Sequence, residues 1–420
     1  MLAPHSNSAT PTTTTKAAKI AVVVVALGYF VDLFDLLLFG AVRIPSLRDL
    51  GYTTAEALQT EGGLLINAQM GGMLIGGVLW GIFGDRRGRK SVLFGSILMY
   101  SLANLANAFV HDVTLYAILR FIAGVGLAGE LGAGVTLVSE MLPRDKRGVG
   151  TLVIAGFGTL GAATAGLVVE FMDWRTAYIV GGVMGLLLLL MRVGVLESGI
   201  FEKTVERDAA PRGAFQALFT NPDRLKRYLA CIAVGLPIWF GIGLPVFFAP
   251  EFARVLGVQH ADTIKASTAI LFCYLGFSPG DVLSGLVSQR LQSRKKAMAI
   301  FMACLAAVLA VCFFSRGMTP AAYYACCFGF GFFGGYWAVF VTNASEQFGT
   351  NLRATVTTSV PNFVRGAVVP MTLSFEALKG PMGYIPAAVT VGAVCFALAI
   401  WGLSVLPDRF HADLDYVEPL

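Results

Sequence analysis

Apolar runs of 18 residues or more recur along the whole chain, divided by short polar connections. Each is long enough to cross a hydrocarbon layer about 30 Å thick as a helix rising about 1.5 Å per residue. The pattern predicts twelve helices, over 18–42, 61–83, 91–110, 113–141, 148–171, 174–196, 227–252, 264–288, 296–315, 320–345, 354–377 and 383–406. Residues 1–15 then form a Thr/Ser/Ala/Pro tail expected to be disordered, 16–196 and 227–406 two six-helix bundles, 197–226 a polar linker and 407–420 a second tail. The predicted fold class is all-α: a polytopic membrane protein of 12 transmembrane helices in two pseudo-symmetric six-helix bundles. Helix one has no small-residue cleavage site ahead of its charged centre, so it reads as retained and not as a signal peptide.

Composition narrows the function. Apolar side chains make up 56% of the 420 residues and charged ones 14%, against about a quarter charged in soluble proteins. The longest internal polar stretch, about Glu197 to Arg227, is too short for a catalytic domain. The dipeptide Gly-Lys does not occur and no histidine pair has zincin spacing, which removes the phosphate-cradling loop and that class of metal site. Gly276, Ser278 and Gly280 match the nucleophile-elbow pattern, but inside an apolar helix, while His5, His111, His260 and His411 all fall in tails or loops. The seven cysteines lie in apolar runs of the second half, as small buried hydrophobes would. No enzyme activity, cofactor, metal or nucleic-acid partner is expected, and the net charge of +5 requires no anionic partner.

What matters is where the charges sit. With both termini on one side, 21 Lys and Arg residues fall there and 7 on the other: Arg43, Arg48, Arg175, Arg254, Lys265, Arg316 and Lys379. The excess predicts that both termini are cytoplasmic, for a monomer expected in a bacterial inner membrane. The halves also echo one another. Glu140 precedes Arg147 by seven residues at the end of helix four, as Glu346 precedes Arg353 at the end of helix ten, an offset of 206. Gly81 and Arg86 recur 204 residues later as Gly285 and Arg290. Duplicated halves around a midplane site are a common plan of secondary transporters.

The loop after helix two reads Gly81-Ile-Phe-Gly-Asp85-Arg86-Arg87-Gly88-Arg89-Lys90 and resembles, at every defined position, the G-x-x-x-D-R-x-G-R-R/K signature of the major facilitator superfamily. Its second copy is degraded, with Gln289 where Asp would stand. Helix one carries Asp32-Leu-Phe-Asp35-Leu-Leu-Leu-Phe-Gly40, and helix four Arg120-Phe-Ile-Ala-Gly124 followed by Gly129-Glu130 and Glu140. These segments, with Asp173-Trp174-Arg175 and Leu196-Glu197-Ser198, are similar to the metabolite:proton symporter branch, with the sugar-porter branch second. The resemblance implies alternating access by two bundles. It also implies a conformational latch built from Gly81, Asp85, Arg86, Gly88, Arg89, Glu140, Arg147, Glu346 and Arg353.

Helical arithmetic places Asp35 and Arg120 both about 10–12 Å below the outer surface, within reach of each other, with Asp32 one turn deeper and Glu130 lower on helix four. A charged group at a membrane helix centre costs about 2.5–3.5 kcal/mol, so four in one half call for a function. Asp32, Asp35, Glu130 and Arg120 are the candidate proton-coupling residues. The alternative for Asp35 and Arg120 is a fixed ion pair that only fastens helix one to helix four. In the second half, Arg365 either pairs with Asp281 or stands as a free anchor for an anionic solute. Arg120, Arg365, Trp239, Tyr336, Trp337 and Asn343 are the candidate substrate-binding residues. The expected function is proton-coupled symport of a small organic acid or zwitterion; the alternatives are proton-coupled export of a drug-like or lipid-like compound and uncoupled facilitation.

Overall fold

The computed structural model describes residues 16–87, 89–129, 147–197, 215–410 and 417–418, with side chains except at 16–22, 81, 84–87, 89–91, 93, 147–155, 194–197, 350 and 354. Most of both tails and of the linker lies outside these residues. The helices of the first half are α1 (Lys16–Asp49), α2 (Ala55–Arg87), α3 (Arg89–Asn107), α4 (Val113–Leu127), α5 (Arg147–Phe171) and α6 (Trp174–Glu197). Those of the second are α7 (Pro222–Gly241), α8 (Ala266–Leu291), α9 (Arg294–Phe314), α10a and α10b (Pro320–Gly334 and Trp337–Glu346), α11a and α11b (Thr350–Gly366 and Val368–Met382) and α12 (Tyr384–Val405). Among the described residues, eight spans are long and apolar enough to cross a membrane by length and composition alone. Twelve crossings return the chain to the side it started from, so the start of α1 and the end of α12 share one face, the terminal face; the opposite one is the far face.

Local chemistry sets the helix starts. Asp112, Asn221, Ser293 and Thr319 each accept a backbone N–H of the first turn, and Pro222 and Pro320 occupy first helical positions where no N–H is needed. Asp173 caps α6 in the same way at the far face, accepting from Thr176 N at 3.3 Å. The Thr176 side chain also bonds its carboxyl and holds it below the usual carboxylate range. A depressed carboxyl contributes stability that is lost only as pH falls through its lowered value, so this cap is no switch near neutral pH.

The two halves repeat one seam. Gly72 and Gly76 of α2 press on the α4 backbone at Phe121 and Val125; Gly276 and Gly280 of α8, each 204 residues later, press on α10a at Phe328 and Phe332. Small residues let membrane helices approach until backbones touch. The limit is reached at Gly331, where a Cβ would be driven into the Cys273 carbonyl oxygen. The apparent nucleophile-elbow glycines are thus packing residues, and all seven cysteines are free.

Several boundaries differ from expectation. Arg43, expected in a loop on the far side, is inside α1, which continues to Asp49 through Pro45, and is fully buried. Its guanidinium meets Glu251 beyond α7 at 2.8 Å, donates to the carbonyls of Leu58 (3.1 Å) and Phe247 (3.2 Å), and lies 4.7 Å from the Phe248 ring centroid. These partners let a charge stay in a helix that hydropathy alone would end before it. Two further links join the bundles at the far face: Gln59 to Glu376 at 2.8 Å, and Glu170 to Lys265 (2.6 Å) and Ser267 (3.3 Å). Asn67 and Thr372 bond just beneath the first of these. These contacts hold the two bundles together at the far face.

Truncating one member of a buried ion pair leaves the other charge stranded, at a cost of about 3–5 kcal/mol. Arg43→Gln is therefore expected to lower the melting temperature in detergent sharply, and the double variant with Glu251→Gln to recover a large part of the loss. Additive single losses in a thermal-shift series would show that the pair does not act as a unit.

Candidate functional site

Where the bundles meet, α1, α7, α8, α10b and α11a enclose a cavity lined by Tyr29, Leu33, Trp239, Ile242, Tyr274, Phe277, Trp337 and Arg365. Helix irregularity is concentrated in its walls. α7 carries Pro237 and runs into a π-helical stretch, Ile242–Val246, that holds Pro245; α10 is broken at Gly335 and Tyr336; α11a carries Pro361. Non-helical backbone at membrane depth is tolerated where protein or a cavity satisfies it. Here the Tyr323 hydroxyl donates to the Pro245 carbonyl at 3.2 Å, the Tyr336 hydroxyl to the Val234 carbonyl at 3.1 Å, and Ala338 N to Asp281 Oδ1 at 2.8 Å.

Arg365, at the end of α11a, is 1% exposed. Its Nε and Nη1 have no hydrogen-bond partner, and among the described residues it forms no ion pair, with Asp281 or any other carboxylate. Its guanidinium carbon stands 5.8 Å from the Trp239 ring centroid and 5.6 Å from that of Trp337. Aromatic faces attract a cation at this range but accept no hydrogen bond in the guanidinium plane. Of the two readings open from sequence, the pairing with Asp281 is not formed in this structure. The Tyr29 hydroxyl of α1 is within electrostatic reach of Arg365, Asp32 and Asp281 and interacts with the Trp337 side chain. That puts the acidic stretch of helix one beside the cationic wall of the other half.

The remaining candidates fall into three groups. Asp32, Asp35 and Arg120 are all fully buried in the first bundle. The Arg120 guanidinium donates to Asn104 and lies 4.7 Å from the Tyr178 ring centroid. Asp35 lies within electrostatic range of the same tyrosine, in room left by Gly181, where a Cβ would lie 2.5 Å from Oδ1. Tyr178 in turn bonds Tyr116 at 2.7 Å. Tyr336 and Asn343 are buried in the second bundle but are not among the residues lining the cavity; Asn343 Oδ1 accepts from Gln347 at 3.4 Å. Around the terminal face, Glu346 is bonded by Arg294 at 3.2 Å, and Arg353 donates to the carbonyls of Ser345 (3.2 Å) and Phe348 (3.4 Å). Gly88, Glu130 and Glu140 lie outside the described residues, as do the side chains of Asp85, Arg86, Arg89 and Arg147, while Gly81 lies within α2.

Sequence reasoning missed Tyr29, Leu33, Ile242, Tyr274 and Phe277 in the wall, and Arg43 and Glu251 at the far face. Nothing in an apolar helix distinguishes an aromatic that lines a cavity from one that packs. Arg43 did carry a signal, an arginine that continues the helical run of α1 into Pro45.

Comparison with known proteins agrees with this architecture. The Major Facilitator Superfamily matches residues 25–372. The chain is 28% identical to the niacin transporter NiaP of Acinetobacter baylyi, over 79% of this chain and 80% of that one. It is 25% identical to the cis,cis-muconate transport protein of the same organism, over 95% of each chain. It is 29% identical to the 3-(3-hydroxy-phenyl)propionate transporter of Escherichia coli, over 62% of this chain and 64% of that one. With twelve helices in two repeated bundles and a family match over most of its length, the chain belongs to the Major Facilitator Superfamily and is a membrane transporter, not an enzyme.

Proposed function

We propose that the protein takes up a small organic acid together with protons by alternating access, as a monomer with both termini in the cytoplasm of a bacterial inner membrane. The observation that carries the reading is Arg365. A guanidinium buried at membrane depth with two nitrogens lacking acceptors is costly, and a carboxylate supplies two parallel acceptors to its fork. Trp239 and Trp337 flank the position such a carboxylate would take, and flat apolar walls suit a planar body. The relatives named for niacin, muconate and hydroxyphenylpropionate support an acid as the solute.

Proton coupling rests on Asp32, Asp35 and Glu130. Asp32 and Asp35 are fully buried in the first bundle, and Tyr29, which lines the Arg365 cavity, lies within electrostatic reach of Asp32. In the proposed cycle the acids load from outside, the solute docks on Arg365, the bundles rock, and both leave inward. With the bundles joined at the far face by polar contacts, they must part there to admit the solute from outside. The Arg43–Glu251 pair and its two companions are the contacts that part on the outward side. The latch of Gly81, Asp85, Arg86, Gly88, Arg89, Glu140 and Arg147, with Glu346 and Arg353, would hold the terminal side in the other half of the cycle.

In proteoliposomes, adding a substrate acid outside should acidify the lumen, because symport carries protons inward; proton antiport would make the lumen alkaline. Arg365→Gln should weaken substrate affinity by about 10–100-fold, the size of a lost charge-assisted hydrogen bond, and should abolish the acidification, which also excludes passive entry of the neutral acid. Unchanged affinity would remove Arg365 from the site.

Asp32→Asn and Glu130→Gln should each abolish accumulation driven by a pH gradient while leaving substrate exchange measurable. Wild-type accumulation by both variants would remove these carboxyls from coupling.

A further inference from the structure

Helix α10b starts without a cap of its own. The residue before it, Tyr336, has φ −109° and ψ 21° and makes no side-chain capping bond, and Gly335 ahead of it is also outside helical geometry, at φ −72° and ψ 46°. The first-turn amides of a helix have no partner within it. One is met from a neighbouring helix: Ala338 N donates to Asp281 Oδ1 of α8 at 2.8 Å. The seam between α8 and α10 makes this possible. A Cβ at Gly335 would stand 2.6 Å from Asp281 N and 2.7 Å from Gly280 C, so the broken backbone rests directly on the turn of α8 that carries the carboxylate.

Trp337 is the first residue of α10b, next to the amide that Asp281 holds, and it is one of the two indoles facing Arg365. Phe277, one turn before Asp281, lines the same cavity. The register at which α10b begins therefore decides whether residue 336 or residue 337 presents its ring to the cavity. Their rings diverge in this structure: Tyr336 turns to the Val234 carbonyl and Trp337 to Arg365.

We propose that Asp281 is a positioning residue, which fixes the start of α10b through Ala338 N and so holds the Trp337 indole against Arg365. It acts through Trp337 and not by touching the solute. Its consequence for binding rests on the proposed function, but its consequence for Trp337 does not.

The test has a ligand-free arm and a binding arm. Asp281→Asn keeps a carbonyl oxygen at the capping position; Asp281→Ala removes it. Intrinsic tryptophan emission of the purified, correctly sized protein should shift to the red in D281A and stay at the wild-type position in D281N. The D281A shift should vanish in a Trp337→Phe background. Calorimetric titration with benzoate, as a planar carboxylate probe, should show a Kd raised at least tenfold by D281A and within about threefold of wild type for D281N. D281A and Trp337→Ala should be non-additive, the double variant binding no worse than the weaker single one. An unshifted D281A emission, a shift that survives W337F, or D281N behaving as D281A in both arms would overturn the positioning role. If benzoate and other planar acids fail to bind the wild type while the emission results hold, the positioning role stands and the organic-acid reading falls.

Discussion

A guanidinium deep in a low-dielectric interior is the constraint around which this protein is arranged. The surroundings of Arg365 must make a buried charge tolerable. They do so with two indole faces instead of a carboxylate or carbonyls for Nε and Nη1. The contrast with the other buried arginines is instructive. Arg43 has a carboxylate and two carbonyls, and Arg120 an asparagine oxygen and a tyrosine face. Arg43 is thereby tied into a structural contact, and Arg120, whose Nε and Nη1 also lack hydrogen-bond partners, stands inside the first bundle; Arg365 leaves the same capacity toward a cavity shared by the two bundles.

The scaffold supplies rigid walls and a movable junction from the same element type. Glycine seams lock α2 to α4 and α8 to α10a backbone to backbone, so each pair moves as one body. Between the bundles one close backbone approach, Gly166 of α5 on the Ser267 carbonyl of α8, stands beside single polar links at the far face, and Asn362 donates to the Ala128 carbonyl at 2.9 Å further in. Side-chain links across an interface are individually modest and separable, whereas interdigitated backbones are not. α11a fits this division, for its Thr, Ser and Asn residues make it the most polar of the spanning helices and it runs along the interface where those links form.

How far the sequence reveals this depends on what kind of interaction is at stake. Helix number and order are written in the apolar runs, because crossing a bilayer demands a minimum apolar length. The duplication is legible too, since the seam glycines must recur at a fixed offset to keep two seams in register. Arg365, Trp239 and Trp337 were legible as rare polar or amphipathic residues in apolar surroundings. Tyr336 and Trp337 look alike in sequence as adjacent aromatics; only the break at Gly335 and its capping from α8 turn their rings apart, and that is a tertiary contact. The depth of Arg43 was hidden for a similar reason. Its tolerance comes from Glu251, 208 residues away, while hydropathy sees only neighbours along the chain.

The most direct test of the central claim is a high-resolution structure of the protein with a planar organic acid bound. The account predicts the carboxylate within about 2.7–2.9 Å of Arg365 nitrogens, with the planar body between Trp239 and Trp337 and the helices around the cavity drawn apart from their present closeness. An acid bound elsewhere, with Arg365 still against the indoles or turned onto Asp281, would contradict it.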